Sequence, residues 1–362
     1  MGLCRVAGGG TVGGQRHRLS WAAAACFGGL AIGRLAGVDQ FRAVGAPAAA
    51  LLPFTPHAAA AAWIAALLAR DRRARAINAF AAVTMTATLV PRTMARPQPL
   101  ATGPTLRVLT ANLFVGRAAA DPLVELAGRT EADVLFVQEL GEDAAIRLAR
   151  AGLGDQFPYL ISDVGTEAER GNGIYAKYPL RMCGPVLPTS SVQPIVTLAF
   201  PSMPVWLVSV HTWTPKRPCT RPGVSLWRDD LAVLAELPVP AGPADPPVIV
   251  AGDFNSTLDH AGFRRLLRDP GGRPPESPRR GRLVDAARET GQGLVPTWSP
   301  APWCPLPLLA IDHILVDRRC AVLDTSVHRL PGTDHRAVFA QVRLPCLPGG
   351  TTPRNPPNAG AP

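Results

Sequence analysis

Six stretches of this 362-residue chain set an acid, an amide or an imidazole at or beside the end of a β-like run. Asn112 closes LRVLTAN, Glu139 follows VLFVQ, and His211 follows WLVSV. Asp253 and Asn255 follow VIVAG, Asp312 and His313 lie within LLAIDHILVD, and Asp334 and His335 open GTDHRAVFAQV. Polar groups at strand ends can converge on one sheet edge, where loops build sites. Acids and amides supply oxygen donors, which suit Mg²⁺ or Mn²⁺. No His-x-x-His or Cys-x-x-Cys spacing occurs, which disfavours zinc, and neither a Walker loop nor a G-x-S-x-G elbow is present. Each residue alone has an ordinary reading: Asn112 as a turn former, Glu139 as a solvated loop residue, Asp253 as an Asx-turn or helix cap. As a set, all of metal- or phosphate-handling type, they are a poor match to chance.

The elements that must carry them are short. Leu106–Leu109 and Val134–Val137 read as buried strands with a Pro122–Arg129 helix between them. Further strands are expected at Ile174–Ala176, Ile195–Phe200, Trp206–His211, Val248–Ala251, Ile311–Val316, Ala321–Val327 and Ala337–Val342. Helical patterns recur at Asp143–Arg150, Leu226–Leu237 and Ala261–Arg268. Several strands follow one another without a helix, as in an α/β sandwich of two packed sheets, and Pro201–Pro204 reads as a hairpin turn.

The front of the chain is different. Apolar blocks run over Trp21–Val38, Val44–Ala69 and Ala76–Val90; the first two reach the length of a membrane-spanning helix and the third is short. Residues 1–102 hold 11 arginines and no lysine against Asp39 and Asp71, whereas residues 103–362 hold 26 basic against 25 acidic residues. The net charge of +10 therefore belongs to the N-terminal region and is no nucleic-acid footprint. Arg5, Arg16 and Arg18 precede the first block and Arg70, Arg72, Arg73 and Arg75 precede the third, so the positive-inside rule puts both in the cytoplasm and everything after Pro91 outside. The expected organisation is a membrane region over 1–92 (spans near 20–38, 46–69 and 76–91), a Pro-rich linker over 93–104, a module over 105–344 and a Pro/Gly-rich disordered tail over 345–362. A hydrophobic content of 47% excludes a wholly disordered chain, and seven cysteines are too few for a disulfide scaffold of this length.

At TANL, FVQEL, GNGIYAKYPL, VSVHTW, AGDFNS, IDHILV and TDHRAV, in this order from about Leu106 to Val342, the sequence resembles the endonuclease/exonuclease/phosphatase superfamily. That resemblance implies a four-layer α/β sandwich of two packed mixed β-sheets flanked by helices, here behind about three transmembrane helices. It implies metal-assisted hydrolysis of a phosphoester, with Mg²⁺ (or Mn²⁺) as cofactor. Glu139 resembles the principal metal ligand, supported by Asn112. Asp334 resembles a carboxylate that pairs with the last histidine or lies on the metal side. Asp312 resembles an acid that holds the ring of His335, while His211 and His335 face the phosphate. Asp253 resembles the group that orients or deprotonates the attacking water, with Asn255 on the phosphate, and Asn172 in GNG matches a pocket-shaping position. The implied partners are a phosphoester (nucleic acid, phospholipid or small molecule) and a lipid membrane; no protein partner follows. An extracellular nuclease and a non-catalytic binding module are the alternatives. Cys219 and Cys304, both in Pro-rich loops, are the best disulfide pair if the module is extracytoplasmic, and Asp269–Arg282 is a basic loop that reads first as a solvated one.

Overall fold

The computed structural model describes residues 10–164, 170–183, 187–215, 221–237, 239, 242–267, 283–304 and 306–346. Arg5, Cys219, the 269–282 loop and the tail beyond Cys346 lie outside them. The chain divides into two compact units, Met1–Pro91 and Arg92–Pro362.

In the first unit, helices α1 (Gly10–Ala36), α3 (Thr55–Leu68) and α4 (Arg72–Leu89) pack on one another, and the short α2 (Gly45–Leu51) leads into α3. Asp71 caps α4 by accepting from the backbone N–H groups of Arg73 and Ala74, both at 2.9 Å. The helices meet through small side chains: Ala24, Ala31, Ala59, Ala62, Ala66, Ala74, Ala81 and Ala82 are buried. Many of the large apolar ones face outward, with Leu67 80%, Leu68 75% and Phe80 70% exposed, while Leu52, Met85 and Leu89 are buried. Among the described residues, His17–Ala36 and Gly45–Leu68 are long and apolar enough to cross a membrane. The third expected span, α4, falls short of that measure, because Arg72, Arg73 and Arg75 fill its first turn.

The second unit is an α/β sandwich of two mixed six-stranded sheets. Its strands are β1 (Thr105–Asn112), β2 (Val134–Gln138), β3 (Tyr159–Asp163), β4 (Asn172–Ala176), β5 (Leu180–Met182), β6 (Ile195–Phe200), β7 (Met203–His211), β8 (Val248–Asp253), β9 (Leu283–Asp285), β10 (Asp312–Asp317), β11 (Ala321–Arg329) and β12 (Arg336–Arg343). One sheet runs β11-β12-β1-β2-β4-β3 and the other β5-β6-β7-β8-β10-β9. Only β1–β2 and β7–β8 are parallel pairs. Each is crossed over by a helical segment, α5 (Ala120–Arg129) in the first and α8 (Arg221–Ala235) in the second, as a parallel pair requires.

Between the sheets lies one apolar core that includes Leu106, Val108, Val134, Phe136, Leu207, Ile249 and Ile314. Helix α5, with α6 (Glu142–Arg150) and α7 (Leu153–Gln156), covers the outer face of the first sheet through Leu123, Leu126, Leu148 and Leu153. On the second sheet, α9 (Ala261–Leu266) sets Phe263 against Phe254 and His313. Two of the strands that the sequence left unread, β3 and β5, end the sheets, where a strand needs little hydrophobic patterning because only one neighbour pairs with it. β9 ends the second sheet opposite β5 and leads into the one-turn helix α10 (Ala286–Glu289).

Candidate active site

Strand alternation builds the site. Side chains two apart share a face, so the inter-sheet face of β1 carries Leu106, Val108, Thr110 and Asn112. The same face carries Val134, Phe136 and Gln138 on β2, and Ala176, Ile174 and Asn172 on β4. In the second sheet it carries Val205, Leu207, Ser209 and His211 on β7, Ile249, Ala251 and Asp253 on β8, and Val316, Ile314 and Asp312 on β10. Every strand changes from apolar to polar toward the same end of the sandwich. Register then aligns the polar ends in two rows, Asn112–Gln138–Asn172 in one sheet and His211–Asp253–Asp312 in the other.

The rows touch. The Asn112 amide donates to Glu139 Oε1 and to Asp253 Oδ2, each at 3.0 Å, and so ties the two sheets together. His211 Nε2 lies 3.7 Å from Glu139 and 4.0 Å from Asp253; His335 Nε2 lies 3.7 Å from Asp253 and 3.8 Å from Asp334. Asp312 grips His335 Nδ1 at 3.0 Å and itself accepts from Thr297 Oγ1 at 2.6 Å. Asp334 accepts from Trp298 Nε1 at 2.9 Å. The Asn255 backbone N–H donates to Asp253 Oδ1 at 2.8 Å, and its amide to the Thr212 carbonyl at 3.0 Å. Asn172 stands apart from this cluster: its amide donates to the Val192 carbonyl at 2.7 Å, and it joins the others only through its cross-strand neighbour Gln138.

Burial and charge set the protonation states. Burial opposes a charge on His335, but Asp312, Asp253 and Asp334 outweigh it and hold the imidazole up at about 9, protonated at neutrality. Asp253 is pushed above its ordinary range by burial and by Asp312, against the pull of both histidines. A buried acid that takes a proton readily, between an imidazolium and a second imidazole, is the arrangement of a general base beside an anion-stabilising pair.

Residues 109–335 match the Endonuclease/Exonuclease/phosphatase family. The chain belongs to that family. Its members are metal-dependent phosphoesterases and nucleases. Among solved structures, an endonuclease/exonuclease/phosphatase from Beutenbergia cavernae is 20% identical, with a TM-score of 0.48 over 67% of this chain and 72% of that one. A sphingomyelinase C from Streptomyces griseocarneus is 19% identical, with a TM-score of 0.43 over 66% and 99%. A D. rerio TDP2 bound to a single-stranded DNA product is 17% identical, with a TM-score of 0.46 over 66% and 98%. No curated protein matches the chain.

Within this Endonuclease/Exonuclease/phosphatase module the backbone is bent at the site. Strict alternation would turn Glu139 away from Gln138; a φ of +55° at Glu139 instead ends the strand and turns the chain there. The carboxylate then accepts from the Asn112 amide and, at 2.6 Å, from the Val115 backbone N–H. Such a conformation costs about 1–3 kcal/mol for a residue other than glycine and persists where the surroundings fix it. Gly252, just before Asp253, has a φ of +147°, and a Cβ there would stand 1.9 Å from the Val210 carbonyl oxygen. Only glycine allows β7 and β8 to approach there, and that approach sets His211 opposite Asp253.

The residues present fit a hard divalent cation. Asp334 Oδ1 is buried without a hydrogen-bond partner among the described residues, and Glu139 is a second carboxylate beside the Asn112 amide. Asp253, Asp312 and His335 also lie close enough, within 4.8 Å of one another, to hold a metal ion. In that trio His335 Nδ1 is already committed to Asp312, so their closeness is first that of a hydrogen-bonded pair.

Gln138 in the first row, and Thr110 and Ser209 one layer behind the rows, are polar groups that the sequence motifs do not single out; Thr110 Oγ1 donates to Gln138 Oε1 at 3.1 Å. Each sits two residues before, or directly beside, a residue that was singled out, and that spacing is the signal that finds them. His313 points away from the cluster: Asp285 lies at 2.6 Å from its Nδ1 and the Ser256 carbonyl at 2.9 Å from its Nε2. Burial works against both charges. It is outweighed in Asp285, whose carboxyl is held below its ordinary 3.8, and in His313, which is raised above 6.5. The histidine's contribution to stability is therefore full below pH 6.5 and lost as pH rises through its raised value. The aspartate's is present above pH 3.8 and lost as pH falls through its lowered value. Asp285→Asn is expected to cost about 3–5 kcal/mol by leaving a buried cation unpaired. It should also flatten the alkaline fall of the melting temperature, which melting curves between pH 5 and pH 10 would show.

Cys304 forms no disulfide among the described residues, and Cys183 and Cys320 are buried free thiols.

Proposed function

We propose that this protein is a membrane-anchored phosphodiesterase that uses Mg²⁺, or Mn²⁺, and water. The observation that carries this reading is Asp253. Its buried carboxylate is held by the Asn112 amide that also holds Glu139, and it lies within 4.0 Å of the Nε2 atoms of both His211 and His335. Glu139, Asn112 and Asp334 would hold the cation. When bound, it neutralises the anionic ester and the charge growing on the leaving oxygen.

Asp253 orients the water and takes its proton, and the Asn255 N–H on Oδ1 keeps Oδ2 turned toward the site. His335, held protonated and fixed by Asp312, donates Nε2–H to a non-bridging phosphate oxygen. His211 and the Asn255 amide face the same oxygens, and Asn172 closes the pocket wall. In-line displacement needs water and leaving group on opposite sides of phosphorus. Asp253, at the water, stands in the second sheet, and Asn112 and Glu139, on the metal side, stand at the end of the first.

The packing of the first unit, with alanines between helices and Leu19, Leu35, Leu67, Leu68 and Phe80 exposed, supports a lipid surround. The arginine distribution supports an extracytoplasmic module. Near-neutral charge across residues 103–362 favours a small or lipid-linked phosphodiester over long duplex DNA.

The test is the detergent-solubilised full chain against duplex and single-stranded DNA, RNA, sphingomyelin, inositol phosphates and a generic diester, each with Mg²⁺ or with EDTA. Turnover that needs the metal, falls on a small or lipid diester and changes little with salt supports the reading. Turnover of DNA that collapses with salt makes the protein a nuclease instead. Absence of both turnover and Mg²⁺ binding by folded protein leaves a binding module.

A further inference from the structure

The loop that carries Asn255 is fixed from a distance. Asn255 has a φ of +45°, and the chain from there to His260 belongs to no strand or helix, so side chains must hold it. Trp227 Nε1 donates to Ser256 Oγ at 3.0 Å, His313 bonds the Ser256 carbonyl, and the Thr257 backbone N–H donates to His260 Nδ1 at 3.0 Å. A charged, two-pronged hold comes from the start of the unit's sequence. Arg92, its first residue, places a two-pronged guanidinium on Asp259, Nη1 to Oδ2 at 3.0 Å and Nη2 to Oδ1 at 2.6 Å. Both side chains are buried, 5% and 1% exposed.

Arg92 is itself anchored. The Gly293 N–H donates to its carbonyl at 3.0 Å, and the chain beyond it lies along the same unit. Ala95 bridges to Thr290, the Arg96 N–H donates to the Glu289 carbonyl, Gln98 Oε1 accepts from the Val322 N–H, and Gly103 and Pro104 pair with Leu344. Composition reads residues 93–104 as linker; in the structure they form a strap that delivers Arg92 to the catalytic loop.

We infer that Arg92, acting through Asp259, is a positioning residue for Asn255 and the adjacent Asp253, which makes the strap a working part of the active site. This rests on the hydrolytic reading above. A fork gripping both carboxylate oxygens fixes the orientation of Asp259 as well as its charge, which a lysine cannot do. Loss of the fork leaves a buried carboxylate that must find water or a new partner, and the loop moves with it. Displacement of reacting groups by about 1 Å costs up to about 100-fold in rate.

The experiment compares the full chain with R92A, R92K, D259N and L126A. Leu126, in α5, is buried on the outer face of the first sheet and touches neither the loop nor α8, so L126A is a destabilised control. Each variant is measured for melting temperature, for kcat and KM on the best diester of the panel, and for hydrogen exchange over residues 254–260. The expected result is a kcat lowered about 10-fold or more in R92A and D259N, with KM little changed and exchange of the loop raised. R92K, which keeps the charge without the fork, should fold and still lose kcat, and L126A should lose melting temperature while keeping kcat within twofold. Equal kcat losses in R92A and L126A, or an unchanged kcat in folded R92A or R92K, would overturn the inference. Wild-type protein that hydrolyses nothing overturns the hydrolytic reading, and the positioning role with it; wild-type turnover matched by R92A and R92K overturns the positioning role alone.

Discussion

Glu139→Gln is expected to lower kcat/KM by about 1,000-fold or more while leaving the fold intact. The glutamine keeps the size of the side chain, and its carbonyl oxygen can still accept from the Asn112 amide or the Val115 N–H. What it removes is the charge. Asn112 and Asp334 then remain as donors, and affinity for a divalent cation falls steeply as ligand charge is removed. The melting temperature in EDTA should hold or rise, because Glu139 and Asp253 share the Asn112 amide and the repulsion between them is relieved. The measurement is kcat/KM across a Mg²⁺ titration beside a melt in EDTA. Activity within tenfold of wild type at every Mg²⁺ concentration would remove Glu139 from the metal site.

Asp253→Asn is expected to cost about 100- to 10,000-fold in kcat, the range for loss of a general base, with a smaller change in KM. The single carbonyl oxygen of an asparagine can still accept from the Asn255 N–H, whereas its NH2 group faces the Asn112 amide, so one of the two contacts is lost and the size of the side chain is kept. The asparagine cannot take a proton. The residual rate of the variant should therefore climb with pH as hydroxide replaces the missing base. Wild type should instead reach a plateau once Asp253 has lost its proton. A variant whose profile runs parallel to that of wild type at a few-fold lower rate would show that Asp253 serves only to orient. Pre-steady-state turnover on the generic diester separates these outcomes from effects on product release.

Much of this was legible in the chain itself. The β-like runs were placed within a few residues, because buried strands of a sandwich are short apolar stretches bounded by turn residues. The helix between β1 and β2 was read for the same kind of reason, its 3.6-residue period being strong in ADPLVELAGR. Three short strands were missed. Tyr159–Asp163 is half-exposed at a sheet edge, Leu180–Met182 is three residues long, and Leu283–Asp285 follows directly on the basic loop. With β9 went Asp285, and so the partner of His313. Arg92 was missed for a different reason: PRTMARPQPLATGP has the composition of a tether, and composition does not reveal that one of its side chains is buried.

The sequence by itself determined which chemical groups are available and that each stands at a strand end, since alternation and turn signals are local properties of a few neighbouring residues. Tertiary structure decided which of those ends meet. Alternation says that Asp253 and Ala251 share a face, but it carries no information about the partner strand or its register. The parallel pairing of β7 with β8 and the antiparallel pairing of β10 with β8 set His211, Asp253 and Asp312 in one row. The packing of the second sheet brings that row against Asn112. The left-handed turns at Glu139 and Asn255 and the salt bridge from Arg92 to Asp259 belong to the same level. Each costs free energy locally, in strain or in desolvation, and each is sustained only by contacts between residues far apart in the chain.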